Sequence, residues 1–137
     1  MPERNERLEN YFLNDIFIQL EANNLLTNTE KDDIVRIAAV YFKKNIDKKI
    51  SLENVASEVG VSVSGLISHL KKITGMTPIR YLTLLRIKKS ETFLCHFDSP
   101  ISEIAAACGF DNAYYFCNTF KKYNGVSPTA YRKKYKL

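Results

Sequence analysis

Two lysine pairs, Lys71-Lys72 and Lys121-Lys122, hold the same place in two look-alike stretches of this 137-residue chain. Each closes a run with one apolar edge, and each is followed by a glycine (Gly75, Gly125) and then by Thr77-Pro78 or Ser127-Pro128. Ammonium groups placed in this way suit the phosphates of a polyanion; the competing reading of each lysine is a solvated face. On a 3.6-residue wheel Val63, Leu66, Leu70 and Ile73 cluster opposite Ser64, Ser68 and Lys71. In the second stretch Ala113, Phe116, Phe120 and Tyr123 cluster opposite Tyr114, Asn118 and Lys121. The outward faces nominate Ser64, Ile67, Ser68, Tyr114, Cys117 and Asn118 as groups that face bases. Asparagine can pair two ways with adenine, serine can read several edges, and isoleucine or tyrosine can meet a thymine methyl. Lys71, Lys72, Lys121, Lys122 and Arg132 are the expected phosphate contacts, with backbone amides near Ser62 and Ser99 as neutral additions.

Local signals set the elements that must position these groups. Ser51 reads as the cap of a helix over 52–59, Gly60 as a turn, and Ser62 as the cap of a helix over 63–73. Thr77-Pro78 opens a long helix to about residue 95, which at 1.5 Å per residue spans roughly 27 Å. In the second stretch Ser99 caps a short helix with Pro100 at its first position, Gly109 turns, and Asp111-Asn112 starts the next helix. Ser127-Pro128 opens a last short helix that ends in Arg132-Lys133-Lys134. A short helix, a glycine turn and a second helix with a polar outer face make a helix-turn-helix. The pattern is duplicated: Val55-Ala56, Gly60, Leu66, Leu70, Gly75 and Tyr81 recur as Ile104-Ala105, Gly109, Phe116, Phe120, Gly125 and Tyr131. The offset is 49 up to the turn glycines and 50 beyond them, so the second turn carries one extra residue.

The run from Ile34 to Arg132 resembles the DNA-binding domain of AraC/XylS-type bacterial transcription regulators. The first set of residues carrying the resemblance is Tyr41 with Asn45, Ile50-Ser51-Leu52, Val55-Ala56, Ser62, Leu66, Lys71, Gly75, Pro78, Tyr81 and Arg86. The second is Ile101, Ile104-Ala105, Gly109-Phe110, Asp111, Tyr115-Phe116, Phe120-Lys121-Lys122, Gly125-Val126-Ser127-Pro128 and Tyr131-Arg132. The resemblance implies an all-α fold: two homeodomain-like helix-turn-helix lobes joined by one long linking helix. The residues ahead of it read separately as an N-terminal helical extension, so the chain is expected to divide into residues 1–28, 29–77, 78–97 and 98–137. The resemblance also implies recognition of promoter double-stranded DNA at two successive major-groove segments, with RNA polymerase as a further partner. Activation is the expectation, and repression stays open. Ser68 and Asn118 stand where the family often has arginine, which leans the expected site towards A·T-rich DNA. Leu70 replaces a common phenylalanine, and Ser90 a common alanine, where a small packing change is expected.

The bulk numbers narrow the class. A hydrophobic share of 45% rules out a disordered tail, and three cysteines without a CxxC pair argue against a disulfide framework. No apolar run approaches the roughly 18 residues of a membrane span, and no signal peptide is visible, so a cytoplasmic protein is expected. The net charge of +5 is uneven: residues 1–50 carry 8 basic and 9 acidic side chains, the rest 12 and 6. The basic excess therefore lies where the two helix-turn-helix units lie. No metal, cofactor or catalytic set is expected. Cys95 and His96 are neighbours that point about 100° apart on a helix, a poor chelate, and His69 flanks a buried side. No serine has a positioned base. Cys108 aligns with Val59 as a core residue. Residues 8–20 are apolar nearly all round, which calls for a cover: a second copy of the chain, a missing sensor domain, or the chain's own lobes. Competing with a sequence-specific regulator are an architectural DNA binder, favoured by the small Ser64, Gly65 and Ser68, and a helical protein-interaction domain.

Overall fold

The computed structural model describes residues 30–137, and all regular structure among them is helical. The expectation for residues 8–20 lies outside the described residues. The helices are α1 (Glu30–Lys44), α2 (Leu52–Val59), α3 (Val63–Thr74), α4 (Pro78–His96), α5 (Ile101–Ala107), α6 (Ala113–Asn124) and α7 (Pro128–Tyr135). They form two compact units that divide between Thr83 and Leu84, within α4.

In the first unit α1 packs against both α2 and α3. The buried seam of α1 is Val35, Ala38, Ala39 and Phe42, with Ile46 buried in the loop just beyond it. The sequence points instead to Ile34, Ile37, Ala38 and Tyr41, but Ile37 is exposed and Ile34 and Tyr41 are half-buried. The face is turned by one residue because Phe42, the largest apolar side chain of the helix, is fully buried, its ring centre 5.9 Å from that of Tyr81. Ser51 caps α2, accepting from Asn54 N at 3.1 Å, and Gly60 ends it at φ 85°, a left-handed conformation that glycine adopts without a Cβ clash. Ser62 caps α3, which buries Leu66, Leu70 and Thr74. The Thr74 hydroxyl donates to Leu70 O at 2.6 Å and accepts from Met76 N at 3.2 Å, so it holds the turn that leads into α4.

The second unit has Ile87, Leu94, Ile104, Ala105, Cys108, Phe110, Phe116, Phe120 and Tyr131 as its core. Phe110, Phe116, Phe120 and Tyr131 form a chain of rings with centres 4.9, 5.7 and 5.3 Å apart. Such tilted and edge-on pairs add to plain area burial. Ser90 is fully buried, and its hydroxyl donates to Ile87 O at 2.6 Å, so serine in place of alanine leaves no unpaired donor. The start of α5 differs from the sequence reading. Pro100 is the residue outside the helix, at ψ 149°, and Ser99 makes no cap. The Pro100 carbonyl takes the first bonds, from Glu103 N at 3.0 Å and Ile104 N at 3.1 Å. Ser99 is held elsewhere, its carbonyl accepting from Arg132.

Candidate nucleic-acid interface

The repeat is visible bond by bond. Val61 N donates to Ala56 O at 3.0 Å, and 49 residues on Phe110 N donates to Ala105 O at 3.0 Å. Past the turn the matching bonds are 50 apart: Gly75 N to Lys71 O and Gly125 N to Lys121 O, Tyr81 N to Thr77 O and Tyr131 N to Ser127 O. The caps follow the longer offset, with Gly65 N donating to Ser62 Oγ at 3.1 Å and Tyr115 N to Asn112 Oδ1 at 2.7 Å. The extra residue thus falls in the Gly109–Asn112 turn, where Asp111 is exposed while Phe110 points into the core.

Each unit therefore presents a twelve-residue helix, capped at its start and ended by a left-handed glycine, with one face free. On α3 Ser64 and Ser68 are exposed and Ile67 is half-buried. On α6 Tyr114 is 80% exposed, Asn118 is exposed and Cys117 is half-buried against the core. Lys71, Lys72, Lys121 and Lys122 are all exposed in the last turns, where a cation also suits the negative end of the helix dipole. Arg132 departs from this set. Its guanidinium is half-buried and turned inward, Nη2 donating to Ser99 O at 2.6 Å. The backbone amides near Ser99 precede a seven-residue helix with no side-chain cap, unlike Ser62 at the head of α3.

One residue not nominated from the sequence stands at this surface. Tyr115 is 54% exposed beside Tyr114, its ring centre 6.1 Å from that of Phe110 in the turn. Arg86 is half-buried on α4; burial pulls its pKa down, while the Asp111 carboxylate opposes that shift. Burial pushes the Cys108 thiol up to about 11, which marks it as an inert core group. Among the described residues no three of His, Cys, Asp and Glu gather as a metal site, and no helix is long and apolar enough to cross a membrane.

Two units, each with a glycine-turned helix pair whose second helix shows a polar face and a terminal lysine pair, define a double helix-turn-helix protein. A family model described as a helix-turn-helix domain matches residues 55–134, and the chain belongs to this family, in its AraC/XylS-type form. The MmsAB operon regulatory protein of Pseudomonas aeruginosa is 33% identical over 94 residues, covering 69% of this chain and 31% of that protein. The HTH-type transcriptional activator RhaS of Escherichia fergusonii is 31% identical over 119 residues, covering 86% and 43%. The chain thus spans less than half the length of these relatives. Among solved structures, the C-terminal domain of AraT, a response regulator from Geobacillus stearothermophilus, superposes with a TM-score of 0.72 at 37% identity, covering 76% of this chain and 87% of that one. The DNA-binding domain of AdpA, solved with a target DNA, shares the fold with a TM-score of 0.70 at 23% identity, covering 74% and 91%.

Proposed function

We propose that this chain is the DNA-binding part of a transcription regulator, which reads promoter double-stranded DNA by placing α3 and α6 in successive major-groove segments. One observation carries the reading: the same exposed polar face and exposed lysine pair occur on a capped, glycine-ended helix in both units. Phosphate contacts supply affinity and base-edge contacts supply choice of sequence. Lys71, Lys72, Lys121 and Lys122 take the first task, and Ser64, Ile67, Ser68, Tyr114, Cys117 and Asn118 take the second. The relatives' names support transcriptional control, and that of RhaS supports activation, for which contact with RNA polymerase is the expected route. The chain acts by binding, with no catalysis, and works in the cytoplasm. A second copy of the chain or a sensor domain is the proposed cover for residues 8–20.

Selection of bound sequences from random duplex DNA, followed by a salt titration, tests this. A defined motif and a log–log salt slope of at least about 3.6 in magnitude are the expected results, four phosphate contacts giving about 0.9 each. A Lys121→Ala/Lys122→Ala variant should lose about 1.8 of that slope and weaken on all sequences alike. Binding without sequence preference would point to an architectural role. A slope near zero would overturn the DNA reading.

A further inference from the structure

We propose that the first unit is the phosphate anchor of the pair, gripping the DNA backbone through the basic loop between α1 and α2, which the second unit lacks. The inference rests on the DNA-binding reading above and adds a contact surface outside both recognition helices. Residues 43–51 carry four lysines, Lys43, Lys44, Lys48 and Lys49, against one acid, Asp47. All four lysines are exposed.

The loop is built rather than slack. Asn45 closes α1, its Nδ2 donating to Tyr41 O at 2.9 Å and its backbone N to the same oxygen at 3.1 Å. Lys48 N then donates to Asn45 O at 2.9 Å, and the buried Ile46 side chain pins the loop to the core. Ser51, two residues past Lys49, is already the cap of α2. Lys48 and Lys49 are thus held at a fixed height beside the start of the helix-turn-helix. In three-helix units of the homeodomain kind, the loop between the first two helices and the C-terminal end of the third meet the DNA backbone. Here both places are basic: Lys48 and Lys49 on the loop, Lys71 and Lys72 at the end of α3.

The matching loop of the second unit, Phe97-Asp98-Ser99-Pro100, has no basic residue and is engaged internally. Asp98 pairs with Lys136 at 3.0 Å, and the Ser99 carbonyl accepts from Arg132 at 2.6 Å. The recognition helices differ in the opposite sense. Short serines on α3 offer little base readout, while Tyr114 and Asn118 on α6 have reach and a two-way amide. The α1–α2 loop thus adds a backbone grip on the side of the first unit, while the second unit has the greater reach for sequence choice.

The test uses the full chain and the duplex recovered by selection. Lys48→Ala/Lys49→Ala should reduce the salt slope by about 1.8 and weaken binding by on the order of tenfold per lysine at 0.1 M salt. The loss should be equal on the selected duplex and on its single-base variants, and Lys48→Arg/Lys49→Arg should restore it. An unchanged slope in a variant with unchanged melting, where Lys121→Ala/Lys122→Ala still lowers it, overturns the anchor but keeps the DNA reading. A shifted sequence preference overturns it too, since the loop would then read bases. Failure of the unaltered chain to bind duplex DNA would instead sink the reading beneath it.

Discussion

The Arg132 guanidinium reaches back 33 residues and donates through Nη2 to the Ser99 carbonyl at 2.6 Å, tying α7 to the segment that leads into α5. Beside it Lys136 pairs with Asp98 at 3.0 Å, and Leu137 N donates to Cys95 O at 3.1 Å. The last helix and the two residues after it therefore act as a strap across the end of α4 and the loop before the second helix-turn-helix.

Arg132→Ala should destabilise the second unit by roughly 1–3 kcal/mol, the range for a charge-assisted bond whose loss leaves a carbonyl under-satisfied. Denaturant unfolding measures this. The salt slope of DNA binding should stay within error of the unaltered chain. A fall of about 0.9 would return Arg132 to the phosphate-binding set.

The repeat makes Asn124 a second target. It is fully buried, and neither its amide nitrogen nor its amide oxygen has a hydrogen-bond partner. Its counterpart in the first unit is Thr74, whose hydroxyl is satisfied by Leu70 O and Met76 N. Asn124→Thr should raise stability by about 1–2 kcal/mol, read as a higher midpoint with an unchanged denaturant slope. Loss of stability would show that the amide is paired in solution.

Base readout should be unequal. Asn118→Ala is expected to flatten the preference at one or two base pairs, by about 1–3 kcal/mol, while Ser68→Ala changes little. Tyr114→Ala should also cost affinity, because a side chain 80% exposed in the free protein has contact area to lose. Binding across a panel of single-base variants decides the matter. If Ser68→Ala flattens the panel more than Asn118→Ala, the roles of the two units are reversed.

Alkaline pH should unfold the two units at different points. Burial raises the Cys108 thiol from 9.0 to about 11 and the Tyr81 phenol from 10.0 to about 12, so each fold favours the protonated group. That stability is complete below the unfolded pKa and is lost as pH climbs through the folded one. The second unit should weaken from pH 9 towards 11, and the first from pH 10 towards 12. Cys108→Ala and Tyr81→Phe should each flatten the corresponding pH profile of melting temperature. Profiles unchanged by these substitutions would assign the alkaline loss to other groups.

Much of the protein is legible in the sequence because its signals are local. A serine or asparagine cap bonds an amide three residues on, and a left-handed glycine needs only the lack of a Cβ, so Ser51, Ser62, Asn112, Gly75 and Gly125 declare the helix ends unaided. The duplicated spacing likewise places the exposed faces of α3 and α6. Other features depended on partners far along the chain. Phe42 set the buried seam of α1 by meeting Tyr81, 39 positions away, which no wheel of α1 alone can weigh. Arg132 looked like its lysine neighbours in sequence, but its long side chain can serve solvent or interior, and the Ser99 carbonyl claimed it. Pro100 has the backbone φ of a first helical residue in either case; the extended ψ that leaves it outside α5 goes with a loop tied down by α7. Tertiary structure also decided that α4 belongs to both units, since its apolar residues go all round the helix and their sequence cannot say which core each one serves.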